Sequence, residues 1–327
     1  MNNKLPKELI DRLKEIYSND ELDIIENGFN TEHRKPSFRI NTLKTSTKEV
    51  LDALLESGLE VKKVKFLKNW YILLNWEEKD LWNLDIYKQW KIYMQSISSQ
   101  LPVDLLDISD FNKILDITAA PGGKTSQASA LLKNTWEIIA NDNNSIRIDK
   151  LNFTLNKQWC KNVKVLKTDA RLIAKKNPSD EENNGYINYF NHIIADLPCS
   201  AEWKINLTKE KTYWFWNLWV VKRNFKLQKE ILKSIIPMLK ENGTLMYSTC
   251  TLAPEENEAV VHMILSLYPE LKLQDIDMDY KYSKKWIKWF WKHVYRKDIN
   301  KTIRILPNEE SEWFFIAKFK KNLTHLS

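Results

Sequence analysis

The chain has 327 residues, 43% of them hydrophobic, which is enough to form one large domain or two ordinary ones around a core. No run approaches the roughly 18 apolar residues of a membrane-spanning helix, and the N-terminus lacks the apolar core of a signal peptide. Three cysteines cannot form a disulfide framework, so we expect a cytoplasmic protein. The cysteines lack metal-ligand spacing and the five histidines do not cluster with them, so we predict neither a metal nor a membrane partner.

The first hundred residues predict a small α+β region. Apolar residues at helical spacing cover residues 1 to about 30. A strand is predicted over 38–43, a helix over 47–59, and strand character over 61–74. Since the pattern changes before residue 114, we place a domain boundary near residue 100.

Residues 101–327 have the alternating pattern of a doubly wound α/β fold. The predicted strands are 114–117, 137–140, 163–166, 192–195 and 244–247, and the predicted helices are 125–133, 145–159 and 220–240. This alternation implies a parallel sheet with helices on both faces and a binding crevice at the carboxyl ends of the strands. The polar stretch 177–184 predicts a surface loop.

A glycine turn joins the first of these strands to the first helix. The segment 118–125 reads TAAPGGKT. Glycines let the backbone approach a ligand closely, and the helix N-terminus offers unpaired N–H groups. A P-loop requires a glycine five residues before its last glycine, where this chain has Thr118. The turn therefore predicts a nucleotide-like cofactor without a triphosphate.

Acidic residues follow the next two strands. Asp142 ends the second strand, where an acid commonly accepts hydrogen bonds from ribose hydroxyls. Asp169 ends the third strand and is placed to accept from an adenine amino group. A lone acid at a strand end is more often a turn residue, but three sites in register along one crevice favour a binding role.

Two cysteines follow the last two predicted strands, in DLPCS at 196–200 and YSTC at 247–250. A single free cysteine most often indicates a buried residue, but two thiols at strand ends favour a reaction centre. Asp196, on the loop of Cys199, fits an acid that holds a ring nitrogen gaining a proton. The acids at 255–258 follow Pro254 as at a helix start, so we assign them a capping role.

The segment 281–304 is rich in cations and aromatic rings. It holds nine basic residues and one acid, Asp298. The aromatic residues among them are Tyr282, Trp286, Trp289, Phe290, Trp291 and Tyr295. Cations attract phosphate and aromatic rings stack on bases, which favours nucleic-acid binding. A solvated linker explains the composition equally well.

Five motifs, in this order along the chain, resemble the RNA 5-methylcytosine methyltransferase family, also called the Fmu/Sun family. FRINTL at 38–43 and QSISS at 95–99 are similar to its N-terminal signatures. TAAPGGKT differs from the family's CAAPGGKT only at Thr118, and DLPCS and YSTC match its two thiol motifs. The resemblance implies a Rossmann-like methyltransferase sheet, with 1–100 as an N-terminal RNA-binding region and 101–327 as the catalytic domain.

The resemblance also implies an RNA (cytosine-5-)-methyltransferase that uses S-adenosylmethionine, with ribosomal RNA as the first expected substrate and transfer RNA as the second. Cys250 would attack carbon 6 of a cytosine, Asp196 would stabilise the covalent intermediate, and Cys199 would assist proton removal or product release. A paired base would first be flipped out. The implied cofactor-binding residues are Thr118, Ala119, Ala120, Pro121, Gly122, Gly123, Lys124, Asp142, Arg147, Asp169 and Asp196. We further expect a monomer.

Two other classes of function stay open. An RNA-binding or ribosome-assembly factor could keep the fold without catalysis, although such a protein is expected to lose Cys250 or Asp196, and both are present. A thiol hydrolase would need a histidine partner for Cys250, and His262 is the nearest in sequence.

Tryptophan is unusually frequent and glycine unusually rare, at 14 and 6 residues. Average glycine usage of about 7% would give roughly 23 glycines. Trp90, Trp136, Trp159, Trp203 and Trp313 stand where the family or the local turn favours glycine. We hypothesise that many of these residues are glycines in the native protein, encoded by UGA codons that its source reads as glycine. The alternative is a genuinely tryptophan-rich protein.

Overall fold

The structure is a computed structural model and describes residues 4–74, 77–109, 111–175, 185–285, 287–290 and 293–323. Its α-helices are α1 (Lys7–Ile16), α2 (Asn19–Asn30), α3 (Thr47–Glu56), α4 (Glu78–Leu81), α5 (Asp85–Lys88), α6 (Ile97–Asp104), α7 (Gly123–Leu131), α8 (Ser145–Lys157), α9 (Leu218–Ile235) and α10 (Glu258–Leu267). Its strands are β1 (Ser37–Ile40), β2 (Glu60–Lys63), β3 (Trp70–Leu74), β4 (Ile92–Met94), β5 (Ile114–Asp116), β6 (Ile138–Asp142), β7 (Val163–Lys167), β8 (Phe190–Asp196), β9 (Leu239–Thr249), β10 (Leu271–Leu273), β11 (Ser283–Lys285), β12 (Trp289–Phe290), β13 (His293–Val294), β14 (Ile303–Ile305) and β15 (Phe314–Lys321). None of the helices in these ranges is long and apolar enough to cross a membrane.

The chain divides into two compact units. The thiol unit comprises Met1–Arg34, Asp196–Lys233 and Tyr247–Ser327, and the sheet unit comprises Lys35–Ala195 and Ser234–Met246. The division falls inside β8 and β9, so the last residues of both strands belong to the thiol unit. A domain boundary near residue 100 stays a prediction. The predicted loop at 177–184 lies wholly outside the described part of the chain and also stays a prediction.

The sheet unit contains the predicted parallel sheet, with strand order β9-β8-β5-β6-β7. Strand β5 pairs in parallel with β6 and β8, and β6 pairs in parallel with β7. Asp142 is the last residue of β6, as predicted. Asp169 lies two residues beyond β7 rather than at its end, because the strand stops at Lys167 before a 3-10 turn that begins at Ala170.

A small antiparallel sheet of order β2-β3-β1-β4 precedes the parallel one, which confirms the N-terminal α+β pattern. Val50 and Leu54 on α3 pack with Phe38 and Tyr71 of this sheet in one buried cluster. Strand β1 is shorter than the predicted 38–43, because the side chain of Asn41 accepts the N–H of Leu43 at 3.1 Å and turns the chain.

Two polar residues of β1 and its turn are buried and bind other elements of the sheet unit. The guanidinium of Arg39 donates to the Ser126 hydroxyl on α7 at 2.6 Å and lies 5.0 Å from the ring centre of Tyr93. Burial lowers the pKa of Arg39 to about 10. Asn41 donates to the Gln158 carbonyl at 3.1 Å. The bonds of Arg39 and Asn41 tie the small sheet to α7, which follows the glycine turn, and to the end of α8.

The core of the thiol unit forms around α1 and α2. Ser18 and Glu21 form a capping box that starts α2, and Leu13, Ile25 and Phe29 are buried in one hydrophobic cluster. Strand β14 pairs antiparallel with both β11 and β15, and β10 pairs antiparallel with β15.

The predicted helix 220–240 is too long at its carboxyl end. Helix α9 ends at Ile235, and Pro237 lies in the 3-10 turn that follows. Proline disfavours helical backbone in the residue before it, so the helix ends there and Lys240 falls in β9.

Two of the five suspect tryptophans adopt the backbone conformation of glycine. Trp90 has φ 60° after α5, and Trp159 has φ 62° after α8. Both helix ends are Schellman motifs, in which Lys91 donates to Ile86 and Cys160 donates to Leu155, each at 2.9 Å.

Helix α3 ends in the same motif with glycine at the equivalent position. Gly58 has φ 70°, and Leu59 donates to the Leu54 carbonyl at 2.9 Å. Left-handed backbone favours glycine because a Cβ crowds the carbonyl oxygen that follows. The comparison supports native glycine at positions 90 and 159.

Trp313 differs from these two because its ring is fully buried. It packs between Tyr17 and Phe29, with ring centres 5.9 and 6.1 Å away. Its indole N–H has no acceptor among the described residues. A buried donor without a partner is costly, which is a second reason to suspect the residue printed at this position.

Replacing Trp159 with glycine is expected to raise the free energy of unfolding by about 1 kcal/mol, because it removes the strain of a side chain in left-handed backbone. The opposing loss is small, since the ring is 55% exposed and contacts Lys44 at 4.7 Å. Chemical denaturation of both proteins measures the difference.

Gly58→Ala is the matched control for that experiment. A Cβ added there meets no atom within 4 Å, so its expected loss of about 1 kcal/mol reports backbone strain alone. A Trp159→Gly protein that unfolds more easily than its parent would contradict the backbone argument.

Candidate active site

The two predicted reactive cysteines lie side by side in the thiol unit. The Sγ atoms of Cys199 and Cys250 are 3.1 Å apart, and both residues are half-buried. Cys250 follows the last residue of β9 directly, and Cys199 lies three residues beyond the end of β8. The two strand ends therefore bring together thiols that are 51 residues apart in sequence.

Asp196 is held at the end of β8 by the neighbouring strand β9. Its Oδ1 accepts the hydroxyl of Ser248 at 2.9 Å. The N–H of Leu197 donates to the carbonyl of Ser248 at 3.2 Å, so backbone and side chain both hold the end of β8. The carboxylate thus has a fixed position three residues before Cys199.

The predicted helix start after Cys250 is confirmed, with Glu258 in its first turn, but the acids bind groups other than the helix end. Helix α10 begins at Glu258, and its N-cap residue Asn257 makes no side-chain capping bond. Glu255 pairs with Arg12 at 2.6 Å, and Glu258 pairs with the buried Arg304. Glu256 accepts two bonds from the Ser200 backbone N–H, at 3.0 and 3.2 Å. All three acids bind groups that are distant in sequence.

The sheet unit carries the glycine turn between β5 and α7. Gly122 has φ 105°, which only glycine adopts readily. A Cβ on Gly123 would lie 2.7 Å from Oε1 of Gln95. The Lys124 ammonium donates to the Ser99 hydroxyl at 3.0 Å. The turn therefore brings bare backbone to the N-terminus of α7, which suits a ligand that accepts hydrogen bonds.

Asp142 and Arg147 join the same turn. The Asp142 side chain is buried, and its Oδ1 accepts the N–H of Asn144 at 3.1 Å. Its Oδ2 lies 3.2 Å from Arg147 Nη2, a nitrogen that also donates to the Ala120 carbonyl at 2.8 Å. The buried carboxylate keeps acceptor capacity for a hydroxyl donor, because Oδ2 makes no hydrogen bond of its own within the described residues.

Comparison with known proteins identifies the family. The family model described as 16S rRNA methyltransferase RsmB/F matches residues 103–320. This chain belongs to that family. It is 32% identical to the tRNA (cytosine(49)-C(5))-methyltransferase of Pyrococcus abyssi, over 97% of both chains. It is 28% identical to ribosomal RNA small subunit methyltransferase F of Shewanella woodyi, over 90% of this chain and 59% of that enzyme.

A solved structure shows the same fold. The methyltransferase homolog protein of Pyrococcus horikoshii is 27% identical to this chain and superposes with a TM-score of 0.82. The alignment covers 97% of this chain and 95% of that one. The doubly wound, Rossmann-like methyltransferase fold predicted from the sequence is thereby confirmed.

One polar residue at the strand ends has a role that the sequence did not predict. Asn141 donates to the carbonyls of Ile117 and Thr168, both at 3.1 Å, and so joins the ends of three parallel strands. Its position before Asp142 was the available signal. Asp169 is engaged by Arg171 at 2.6 Å, which lowers the pKa of its carboxyl. Its adenine-binding role, like the cofactor role of Arg147, stays a prediction.

The basic segment 281–304 is less available to nucleic acid than its composition suggests. Four of its cations, Lys284, Arg296, Lys301 and Arg304, pair with the carboxylates of Glu21, Asp298, Asp275 and Glu258. Phe290 and Tyr295 are buried, so the prediction that they stack on bases is wrong. Trp286 and Trp291 lie outside the described residues, as does the side chain of Trp289.

The hydrolase alternative assigned a role to His262. Its Nδ1 accepts the backbone N–H of Arg296 at 3.4 Å, and its ring centre lies 6.1 Å from that of Tyr295.

Across the ranges that the structure describes, no group of three or more histidine, cysteine or acidic side chains is placed to hold a metal ion.

Proposed function

We propose that this chain methylates carbon 5 of cytosine in RNA through a covalent bond between Cys250 and the base. The observation that carries the proposal is the pair of thiols 3.1 Å apart at two strand ends, with Asp196 held by Ser248 at the end of one of these strands. Membership of the RsmB/F family and the names of its relatives support the reaction class.

The resemblance to the family implies a distinct role for each side chain. Cys250 adds to carbon 6 of the base, which makes carbon 5 nucleophilic enough to accept a methyl group. Asp196 accepts a hydrogen bond at the nitrogen edge of the ring, where a proton is gained as the thiolate adds. Once carbon 5 is methylated, Cys199 assists removal of the carbon-5 proton, and the bond from carbon 6 to Cys250 Sγ then breaks.

The glycine turn and Asp142 fit S-adenosylmethionine. This cofactor supplies an electrophilic methyl group when it is bound. The bare backbone at Gly122 and Gly123 suits its methionine part, and the buried Asp142 carboxylate suits its ribose hydroxyls. Lys124 completes the turn, where Ser99 already orients its ammonium.

Asp142→Ala is expected to weaken S-adenosylmethionine binding by about 10- to 100-fold, because hydrogen bonds to a charged acceptor are lost. Isothermal titration of the purified protein with the cofactor measures the dissociation constant without any RNA. Asp149→Ala, which removes an exposed acid on α8, is the matched control and should bind as the parent does. Equal affinities for the parent and Asp142→Ala would remove Asp142 from the site.

Bisulfite sequencing of total RNA, from cells with and without the gene, tests the proposed function. A cytosine that resists conversion only when the gene is present is the expected result. Ribosomal RNA is our first expected substrate, while the P. abyssi relative, which matches over 97% of its length, is named for transfer RNA. Sequencing both RNA classes decides between them, and unchanged patterns in both would overturn the proposal.

A further inference from the structure

The residues that directly follow the two cysteines are bonded to each other. The hydroxyl oxygens of Ser200 and Thr251 are 2.6 Å apart. The N–H of Trp203 also donates to the carbonyl of Cys250, at 3.2 Å. The two thiol-bearing segments are therefore joined one residue beyond the sulfurs.

Two glutamates cross-link the same segments in a reciprocal manner. Glu202, three residues after Cys199, accepts the Thr251 hydroxyl at 3.0 Å and the Leu252 N–H at 2.6 Å. Each acid therefore comes from the segment of one cysteine and holds the segment of the other, because Glu256 follows Cys250, accepts the N–H of Ser200 and shares a hydrogen bond with the Ser200 hydroxyl. We name Ser200, Glu202, Thr251 and Glu256 the acid clasp.

The two glutamates of the acid clasp are buried and are supported by residues outside it. Glu256 has 0% of its surface exposed and Glu202 has 2%. Gln228 on α9 donates to Glu256 at 3.2 Å and to the Pro198 carbonyl at 2.9 Å. Trp216 donates its indole N–H to Glu202 at 2.7 Å. Both carboxyls are thus held by donors on several sides.

Burying two carboxyls is costly for a fold, even though the charge of Arg12 favours the ionised form of Glu202. Burial raises the pKa of Glu256 to about 8 and also raises the pKa of Glu202. Glu258, by contrast, is equally buried but pairs with the Arg304 guanidinium. Two buried carboxyls lower the stability of the fold. Such a cost is expected at a position where function needs a fixed geometry.

We propose that Glu202 and Glu256 are positioning residues that fix the distance between the thiols of Cys199 and Cys250. The inference rests on the proposed function in one respect: both thiols must act on a single base during one turnover. Holding the segments together at Ser200 and Thr251 keeps Cys199 within reach of the base while Cys250 is bonded to it.

The thiol–disulfide equilibrium with glutathione reports how the two sulfurs are placed relative to each other, and it needs neither RNA nor cofactor. In the probe reaction, two protein thiols and one oxidised glutathione give one Cys199–Cys250 disulfide and two reduced glutathione molecules. The equilibrium constant rises as the two sulfurs are better placed to react. Alkylation followed by mass spectrometry gives the oxidised fraction, and Cys160 serves as the reference thiol in the same molecule.

Glu256→Gln keeps the size of the side chain but leaves a single acceptor oxygen where the carboxylate offered two. Measured above pH 8, where Glu256 is ionised, the disulfide equilibrium constant is expected to fall about tenfold, the equivalent of one hydrogen bond to a charged group. Ser200→Ala is the second variant, for use if Glu256→Gln does not fold. It removes only a hydroxyl and should leave the fold intact. A fall of about threefold is expected for it, as for one neutral hydrogen bond.

Glu258→Gln is the matched control, because it also alters a buried acid of the thiol unit but lies outside the acid clasp. It should lower the melting temperature and leave the disulfide equilibrium unchanged. Parent-like equilibria in both Ser200→Ala and Glu256→Gln would overturn the positioning role. That result is separate from failure of the proposed function, which appears as a Cys250→Ala variant that still methylates RNA.

Discussion

Cys250→Ala is expected to abolish methyl transfer, with a fall in rate of at least about 10⁴-fold, because removal of an enzyme's nucleophile leaves only binding and electrostatic contributions. Carbon 5 of a cytosine is a poor nucleophile until a group adds at carbon 6. The variant should still bind S-adenosylmethionine as the parent does, since the glycine turn and Asp142 belong to other segments of the chain. Bisulfite sequencing of RNA from cells that express each protein reads the result at the target cytosine.

Cys160→Ala is the matched control for that experiment. It removes the third cysteine, whose thiol has a raised pKa because it is buried, and which belongs to the sheet unit. Methylation should persist in this variant. A Cys250→Ala protein that methylates at the parent's rate would show that the attack does not pass through this thiol, and the mechanism would have to be abandoned.

The parallel sheet and its strand ends were predictable because their signals are local. A short apolar run, a turn and a helical repeat report burial and period within about ten residues, and β5, β6 and β8 each appear in the sequence in this way. Parallel pairing then places the strand ends at one edge, where TAAPGGKT and Asp142 lie. The family resemblance added the roles of individual residues, which no periodicity contains.

The partners of the buried charges were not predictable from the sequence. Glu255 binds Arg12, 243 residues away, and Arg304 binds Glu258, 46 residues away. A pattern of apolar and polar residues reports which side chains are exposed, not which charge meets which. The acids at 255–258 therefore looked like an ordinary helix start, while the fold uses them to bind an arginine, a serine and a second arginine.

The tryptophan hypothesis shows what each kind of observation contributes. Composition and motif comparison indicated that glycine was missing at five named positions, but neither reports backbone conformation. The structure adds left-handed φ angles at Trp90 and Trp159, in a motif that Gly58 also forms. Mass spectrometry of the native protein decides the matter, and peptides with tryptophan at 136, 159 and 313 would refute the hypothesis.

Cys199→Ala should trap the enzyme on its substrate. In the proposed reaction Cys250 is bonded to the base until the carbon-5 proton leaves, and Cys199 Sγ lies 3.1 Å from Cys250 Sγ, close enough to assist. Without that thiol, methylation proceeds but release fails. The expected result is a covalent protein–RNA adduct that survives denaturing electrophoresis and disappears after ribonuclease treatment.

The double variant Cys199→Ala with Cys250→Ala separates this explanation from non-specific cross-linking. The double variant cannot form the bond to carbon 6, so the covalent protein–RNA adduct should be absent from the gel. Cys160→Ala should behave as the parent does. If Cys199→Ala turned over at the parent's rate with no adduct, Cys199 would have no part in release. Cys250 would then be the reactive thiol, and the 3.1 Å separation of the two Sγ atoms would need an explanation other than product release.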